Sequence, residues 1–407
     1  MKILWLKSDL LHPVDRGGKI RTYQMLKHLK RDHQITYLAL TTSDDTREAF
    51  DRADEYCHKL ITVPWKETAK FSPKFYCDLM MNLGSSLPYA IQKYRSPAMR
   101  GAIDRELSEN QYDIVVSDFL VPSINLPQSH VPSVLFQHNV ESMIWQRHYE
   151  TANNKAKKGY FYGQWRKMVR YEREACRRFD CVIAVSDVDR ELFRNQFKLA
   201  EVHDVPTGVD TAFFQPMTAS KDPFGLVFTG SMDWLPNEDA IVYFAEQILP
   251  QIAAEIPQVN LTVVGRKPTS RLKALAETNP RIKVTGRVED IRPFMAAASA
   301  YVVPMRIGGG TRIKIYEAMS MAMPLISTSV GAEGLPLRNT EEVLIEDEPS
   351  AFAQAVIRIL KDKEFARRIG EKARQVVCER FGWQHAANKF AEICQRVAKK
   401  QVQALAA

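Results

Sequence analysis

Residues 304 to 324, Pro-Met-Arg-Ile-Gly-Gly-Gly-Thr-Arg-Ile-Lys-Ile-Tyr-Glu-Ala-Met-Ser-Met-Ala-Met-Pro, concentrate the chemistry of this chain. They lead from an apolar run, Ala300 to Pro304, through Gly308, Gly309 and Gly310 into a helical pattern that opens with Thr311, Arg312 and Lys314. Consecutive glycines let backbone N–H groups turn inward and approach a ligand closely. The first helical turn adds unpaired donors and the positive end of its dipole, which together make a seat for phosphate. Arg312 and Lys314 add full charges to that seat.

At about 100° per residue, Gly310, Ile313, Lys314 and Glu317 fall on one side of the helix. A cation beside the loop suits a diphosphate, and a carboxylate one turn deeper suits a pair of sugar hydroxyls. The pattern therefore points to a nucleotide whose ribose meets Glu317. A simple surface pair at i,i+3 would be worth only a few tenths of a kcal/mol and would not call for three glycines.

This stretch resembles the nucleotide-binding segment of retaining glycosyltransferases of family four, which have the GT-B fold. The likeness is strongest to bacterial exopolysaccharide-type members with Gly-Gly-Gly-Thr-Arg-Ile-Lys before Glu-Ala-Met. The wider family has two glutamates separated by seven residues; here the second is Glu317 and the first position holds Gly309. The resemblance implies that the first glutamate meets the donor sugar, so this chain leaves sugar recognition to other groups.

The positions around that motif follow an α/β alternation. Strand patterns fall at Ile3 to Lys7, Ile35 to Leu40, Ile61 to Val63, Ile114 to Val116, Val134 to Phe136 and Val182 to Val185, with a helix at Lys19 to Arg31. A second series follows at Leu226 to Phe228, Leu261 to Val264, Lys283 to Thr285, Tyr301 to Val303 and Leu325 to Ser327. Alternating strands and helices argue for parallel sheets with helices on both faces. Between the two series lies Asp204-Val-Pro-Thr-Gly-Val-Asp210, followed by Phe213, Phe214, Pro216 and a polar stretch to Pro223, which makes the best boundary. The resemblance implies two Rossmann-like doubly wound domains facing a central cleft. The expected limits are residues 1–207 on the acceptor side and 208–380 on the nucleotide-sugar side, with 381–407 forming a helix that packs back on the first domain. Trp383, Ala387, Phe390 and Ile393 are spaced for such packing.

Ligands of doubly wound sheets bind outside the carboxyl ends of the strands, so the loops there name further candidates. Gly17 and Gly18 follow the first strand and would admit a phosphate or sugar to a helix N-terminus, although Gly-Gly is also ordinary turn chemistry. The spacing is not the Gly-x-Gly-x-x-Gly of dinucleotide oxidoreductases, and no cofactor is expected. His138 and Glu141 follow the strand ending at Phe136. A histidine there can donate to a sugar hydroxyl or a charged intermediate, and the resemblance places an active-site histidine at this position. Glu141 also suits the N-terminal turn of the next helix.

In the second half, Gly230-Ser231 and Pro236-Asn237 stand where many family members have Gly-Arg and Lys-Gly. Both usual phosphate cations are missing, which leaves Arg312 and Lys314, with Arg266, to stabilise charge on a departing diphosphate. Arg287 and Val288, in Thr-Gly-Arg-Val, resemble a loop that meets a nucleobase edge, although a plain strand-end turn fits the same residues.

Composition agrees with a soluble enzyme. The 407 residues are 45% hydrophobic and 26% charged, enough for two domains with separate cores. No apolar run approaches the roughly 18 residues of a membrane span, and Met1-Lys2 leads into a strand pattern rather than a signal peptide. The six cysteines form no Cys-x-x-Cys pair, and no metal-ligand spacing occurs, so neither a disulfide framework nor a metal site is expected and a cytoplasmic setting follows.

Residues 147–178 carry ten Lys/Arg against three Asp/Glu, interleaved with Tyr149, Tyr160, Phe161, Tyr162, Trp165 and Tyr171. This composition favours an anionic membrane surface on the inner face of the plasma membrane ahead of nucleic acid. A solvated charged face with inward aromatics accounts for it equally well. The expected function is metal-independent transfer of a sugar from a nucleoside-diphosphate donor to a hydroxyl on a glycan or lipid-linked acceptor, with retention, in exopolysaccharide or surface-glycan synthesis. A nucleotide-sugar epimerase on the same fold and a noncatalytic nucleotide-binding partner protein are the alternatives.

Overall fold

The computed structural model describes residues 1–14, 17–69, 71–152, 154–307 and 313–406. The chain divides into two compact units. One comprises Met1–Pro206 with Ala386–Ala407, and the other Thr207–His385.

The first unit is built on a seven-stranded parallel sheet, β1 (Lys2–Lys7), β2 (Gln34–Thr41), β3 (Lys59–Pro64), β4 (Ile114–Asp118), β5 (Ser133–Phe136), β6 (Cys181–Ala184) and β7 (Val202–Asp204). Its spatial order is β3-β2-β1-β4-β5-β6-β7. The strands are near-continuous apolar runs because helices cover both faces, as parallel pairing requires. Trp5 pairs with Tyr37 on one side and Val116 on the other, and all three are buried. The order reverses between β1 and β4, the position at which doubly wound sheets take their ligands.

Four helices of this unit bear on function: α1 (Gly17–Leu29), α2 (Pro73–Leu83), α3 (Glu141–Thr151) and α4 (Lys155–Cys176). The last two pack as an antiparallel pair, and Tyr149, Phe161 and Trp165 serve that packing while Tyr162 stays exposed. Tyr149 stacks on Trp165 with ring centroids 5.7 Å apart, and His148 stacks on Phe161 at 5.4 Å. The basic residues Arg147, Lys155, Lys157, Lys158 and Arg166 remain exposed.

The second unit holds a six-stranded parallel sheet, β8 (Gly225–Thr229), β9 (Asn260–Val264), β10 (Ile282–Val284), β11 (Ala300–Val303), β12 (Leu325–Ser327) and β13 (Leu344–Ile345). Its order is β10-β9-β8-β11-β12-β13, with the switch between β8 and β11. Helix α5 (Leu235–Tyr243) follows β8, and α6 (Ile313–Ser320) follows β11. Strands β7 and β13 are not foreseen by the sequence reading. With three and two residues they are too short to show a period.

The final helix, α7 (Trp383–Ala406), returns to the first unit. Phe390 inserts between Trp5 and Phe136, with ring centroids 5.5 and 5.2 Å away, while Lys389 Nζ lies 3.0 Å from Asp204 Oδ2. The two segments that join the units run side by side: the Val209 N–H donates to the Phe381 carbonyl at 2.8 Å. A Cβ on Gly208 would stand 2.8 Å from the Trp383 Cα, so this close approach needs glycine.

Candidate functional site

In the second unit the loops after β8 and β9 are zipped together. The Gly230 N–H donates to the Val264 carbonyl at 3.0 Å and the Met232 N–H to the Arg266 carbonyl at 2.9 Å. On this turn Arg266 Nε donates to Ser231 Oγ at 3.0 Å. From the other side, Lys314 on the first described turn of α6 donates through Nζ to Asn237 Oδ1 at 2.9 Å and lies 3.9 Å from the centre of the Phe228 ring. Asn237 is buried and donates through Nδ2 to the Ser231 carbonyl at 2.8 Å. A Cβ on Gly230 would stand 2.6 Å from Asn237 Nδ2 and 2.8 Å from Lys314 Nζ. Glycine at 230 is thus what allows this polar cluster to close.

Glu317 lies one turn along α6 from Lys314. Burial raises its pKa to about 7, opposed by the charge of Lys314. Once ionised, a carboxylate in so dry a setting accepts hydrogen bonds from hydroxyls strongly, because little water competes for it. Arg287 is exposed beside Gly286, whose φ of +75° suits glycine, and Val288 packs against the core. Gly308, Gly309, Gly310, Thr311 and Arg312 lie outside the described residues.

The first unit gathers a second polar cluster at the carboxyl ends of β1, β4 and β5. Asp118, fully buried, accepts from Trp5 Nε1 at 3.0 Å and from Thr22 Oγ1 at 2.6 Å, and lies 3.0 Å from Lys7 Nζ. His138 Nε2 approaches Asp118 Oδ1 to 2.7 Å without hydrogen-bond alignment, and its ring stacks on Phe119 with centroids 3.9 Å apart. Burial lowers the His138 pKa to about 3, so the imidazole is neutral at physiological pH. Burial alone would raise the Asp118 carboxyl, but Lys7, His138 and Thr22 hold it below the usual range. Arg21 is buried in the same region, which lowers its pKa to about 10.

Gly17 has open space around its missing side chain, whereas a Cβ on Gly18 would stand 2.9 Å from the Phe119 ring. Gly18 therefore makes room for the phenyl group that supports His138. Glu141 opens α3, and burial raises its pKa to about 7. The N-terminus of α3 is capped from α4: Glu172 accepts from the Glu141 and Ser142 N–H groups at 2.8 and 2.9 Å.

The sequence reading missed Asp118, Lys7, Thr22 and Arg21, and it placed Asn237 only as the residue standing where the family has Lys-Gly, without a role. Lys7 and Asp118 do carry a signal, since a charged residue ending a buried apolar strand stands at the ligand end of a parallel sheet. The pairing of Asn237 with Lys314 carries none, because the two lie 77 positions apart. Among the described residues no group of three or more His, Cys, Asp and Glu side chains could hold a metal ion, and no helix is long and apolar enough to cross a membrane.

Two family models match the chain. Glycosyltransferase Family 4 covers residues 16–213 and Glycosyl transferases group 1 covers 223–362. The chain is a glycosyltransferase of this family. The glycosyltransferase is 20% identical to an uncharacterized 44.6 kDa protein in the cps region of Klebsiella pneumoniae, over 93% of this chain and 96% of that one. It is 27% identical to the phosphatidyl-myo-inositol mannosyltransferase of Mycolicibacterium smegmatis over 49% of this chain, spanning 53% of that relative. Among solved structures, sucrose-phosphate synthase from Thermosynechococcus elongatus superposes with a TM-score of 0.68 at 17% identity, covering 98% and 99% of the two chains. The Anabaena protein HepE in complex with UDP gives 0.67 at 15% identity over 97% and 100%. At these identities the likeness establishes the fold, and the expected GT-B architecture of two Rossmann-like parallel-sheet domains is borne out.

Proposed function

We propose that this glycosyltransferase moves a sugar from a nucleoside diphosphate to a hydroxyl acceptor, with retained anomeric configuration and no required metal. The observation that carries the reading is the convergence of Lys314, Asn237, Ser231 and Arg266 on the Gly230 turn. In this reading Lys314 and Arg266, joined by Arg312, stabilise charge on the departing diphosphate. Glu317 receives the ribose hydroxyls. Gly308, Gly309, Gly310 and Thr311 supply backbone donors to the phosphates, while Arg287 and Val288 meet the base. His138, neutral and backed by Asp118, serves the sugar.

Structures of HepE in complex with UDP and with UDP-glucose support a nucleotide-sugar donor. The cps-region relative supports a role in exopolysaccharide or surface-glycan synthesis, and the phosphatidyl-myo-inositol mannosyltransferase supports a lipid-linked acceptor. The cytoplasmic face of the membrane is the setting in which such donors and acceptors meet. The test is incubation of the protein with labelled UDP-, GDP- and ADP-sugars and a lipid or glycan extract in chelator. Transfer of label with retained configuration supports the reading, and release of an isomerised sugar nucleotide without acceptor would replace it with an epimerase.

A further inference from the structure

We infer that helix α2 and the adjoining flank of α4 form a docking surface for the anionic face of a lipid bilayer. The segment from 71 to 83 presents an unusual row of exposed apolar side chains: Phe71 is 77% exposed, Tyr76 54%, Met80 68%, Met81 65% and Leu83 56%. Tyr76, Met80 and Leu83 recur at i, i+4 and i+7, which aligns them along one side of the helix.

The opposite side of α2 is firmly held. Asn82 is buried, and its side chain accepts from Gln164 Nε2 at 2.8 Å. Lys167 Nζ donates to the Asn82 and Leu83 carbonyls at 2.6 and 3.3 Å, capping the C-terminus of α2 from α4. The apolar row is therefore presented outward by a helix already packed into its unit.

Charge decides what such a row fits. Lys167 ties α2 to the segment with ten basic and three acidic residues, and Arg166 and Arg170 are exposed on either side of it. Lys66 and Lys74 are exposed near the start of α2. Apolar side chains that enter the acyl boundary, beside cations at headgroup level, match an anionic bilayer. Nucleic acid would use the cations and leave the methionines in water. Tyr149, Phe161 and Trp165 are engaged in the packing of α3 on α4, which leaves Tyr162, 45% exposed, as the aromatic of the basic segment that adds to the apolar row of α2. The assignment does not depend on the proposed transfer chemistry.

The test is sedimentation of the intact protein with phosphatidylcholine vesicles and with vesicles containing about one-third phosphatidylglycerol, at low and high salt. Binding is expected only to the anionic vesicles and is expected to weaken with salt. Met80→Glu with Met81→Glu lowers it at least about tenfold, and Arg166→Gln with Arg170→Gln lowers it about 30-fold. All these positions are exposed, so melting temperatures stay at the wild-type value. Absence of binding to anionic vesicles, or undiminished binding by both double variants, would overturn the assignment. So would wild-type self-association abolished by the methionine substitutions with no vesicle binding, because a second copy would then be the occupant.

Discussion

Lys314 Nζ and Asn237 Oδ1 lie 2.9 Å apart, and that contact aims the cation of α6 at the Gly230–Ser231 turn. The usual family motif places cations on the β8 loop itself. Here an uncharged side chain on that loop holds a lysine delivered by another helix.

Asn237→Ala removes the acceptor that aims Lys314 at the Gly230–Ser231 turn. Affinity for a nucleoside diphosphate is expected to fall about tenfold, or about 1.4 kcal/mol, with the affinity for the parent nucleoside unchanged. Paired calorimetric titrations measure the difference. An equal loss for both ligands would mean that Asn237 shapes the site without serving the phosphates.

Glu317 sets a pH dependence. Burial raises its pKa to about 7 in the folded protein, so its carboxylate forms as pH rises through that value. In the proposed reading ribose hydroxyls donate to the ionised form, and affinity for a nucleotide sugar is expected to increase between about pH 6 and pH 8. The diphosphate of a nucleotide sugar does not titrate in that window. Glu317→Gln should bind more weakly and with a flat profile; a slope retained in the variant would move the titration elsewhere.

Lys7 and Asp118 form a buried pair at 3.0 Å. Lys7→Met leaves the Asp118 carboxylate without its cation, which costs about 3 kcal/mol or more of stability. Urea unfolding measures this as a lower midpoint. A change below about 0.5 kcal/mol would show that Trp5, Thr22 and His138 suffice to hold the charge.

Phe390 is fully buried between Trp5 and Phe136. Phe390→Ala is expected to destabilise the first unit by about 3–5 kcal/mol while nucleotide affinity, which the proposal assigns to the second unit, stays unchanged at temperatures where both remain folded. Loss of nucleotide binding before any unfolding would show that α7 also supports the second unit.

The fold was readable where apolar runs were long enough to show a pattern. Runs such as Leu226-Val-Phe228 and Tyr301-Val-Val303 mark buried parallel strands by composition alone. The β13 strand, Leu344–Ile345, is defined by its pairing with β12, which no local pattern announces. The site divides in the same way. Lys314 and Glu317 are related by helical spacing and were legible as a pair. His138 was legible as a loop residue, but its partner Asp118 is set by the register of β4 against β5, where Asp118 pairs with Phe136. The aromatic residues of 147–178 read equally well as surface or interior, and the packing of α3 on α4 engages Tyr149, Phe161 and Trp165 while Tyr162 stays exposed.

The most direct test is calorimetric titration of the intact protein, and of its Lys314→Ala variant, with UDP, GDP and ADP. The nucleotide site described above predicts selective binding of one of the three by the wild type and a loss of at least about 30-fold in the variant, the scale of a charge-assisted phosphate contact. Failure of the wild type to bind any of them, or equal binding by Lys314→Ala, would contradict the assignment of the α6 cation to a diphosphate.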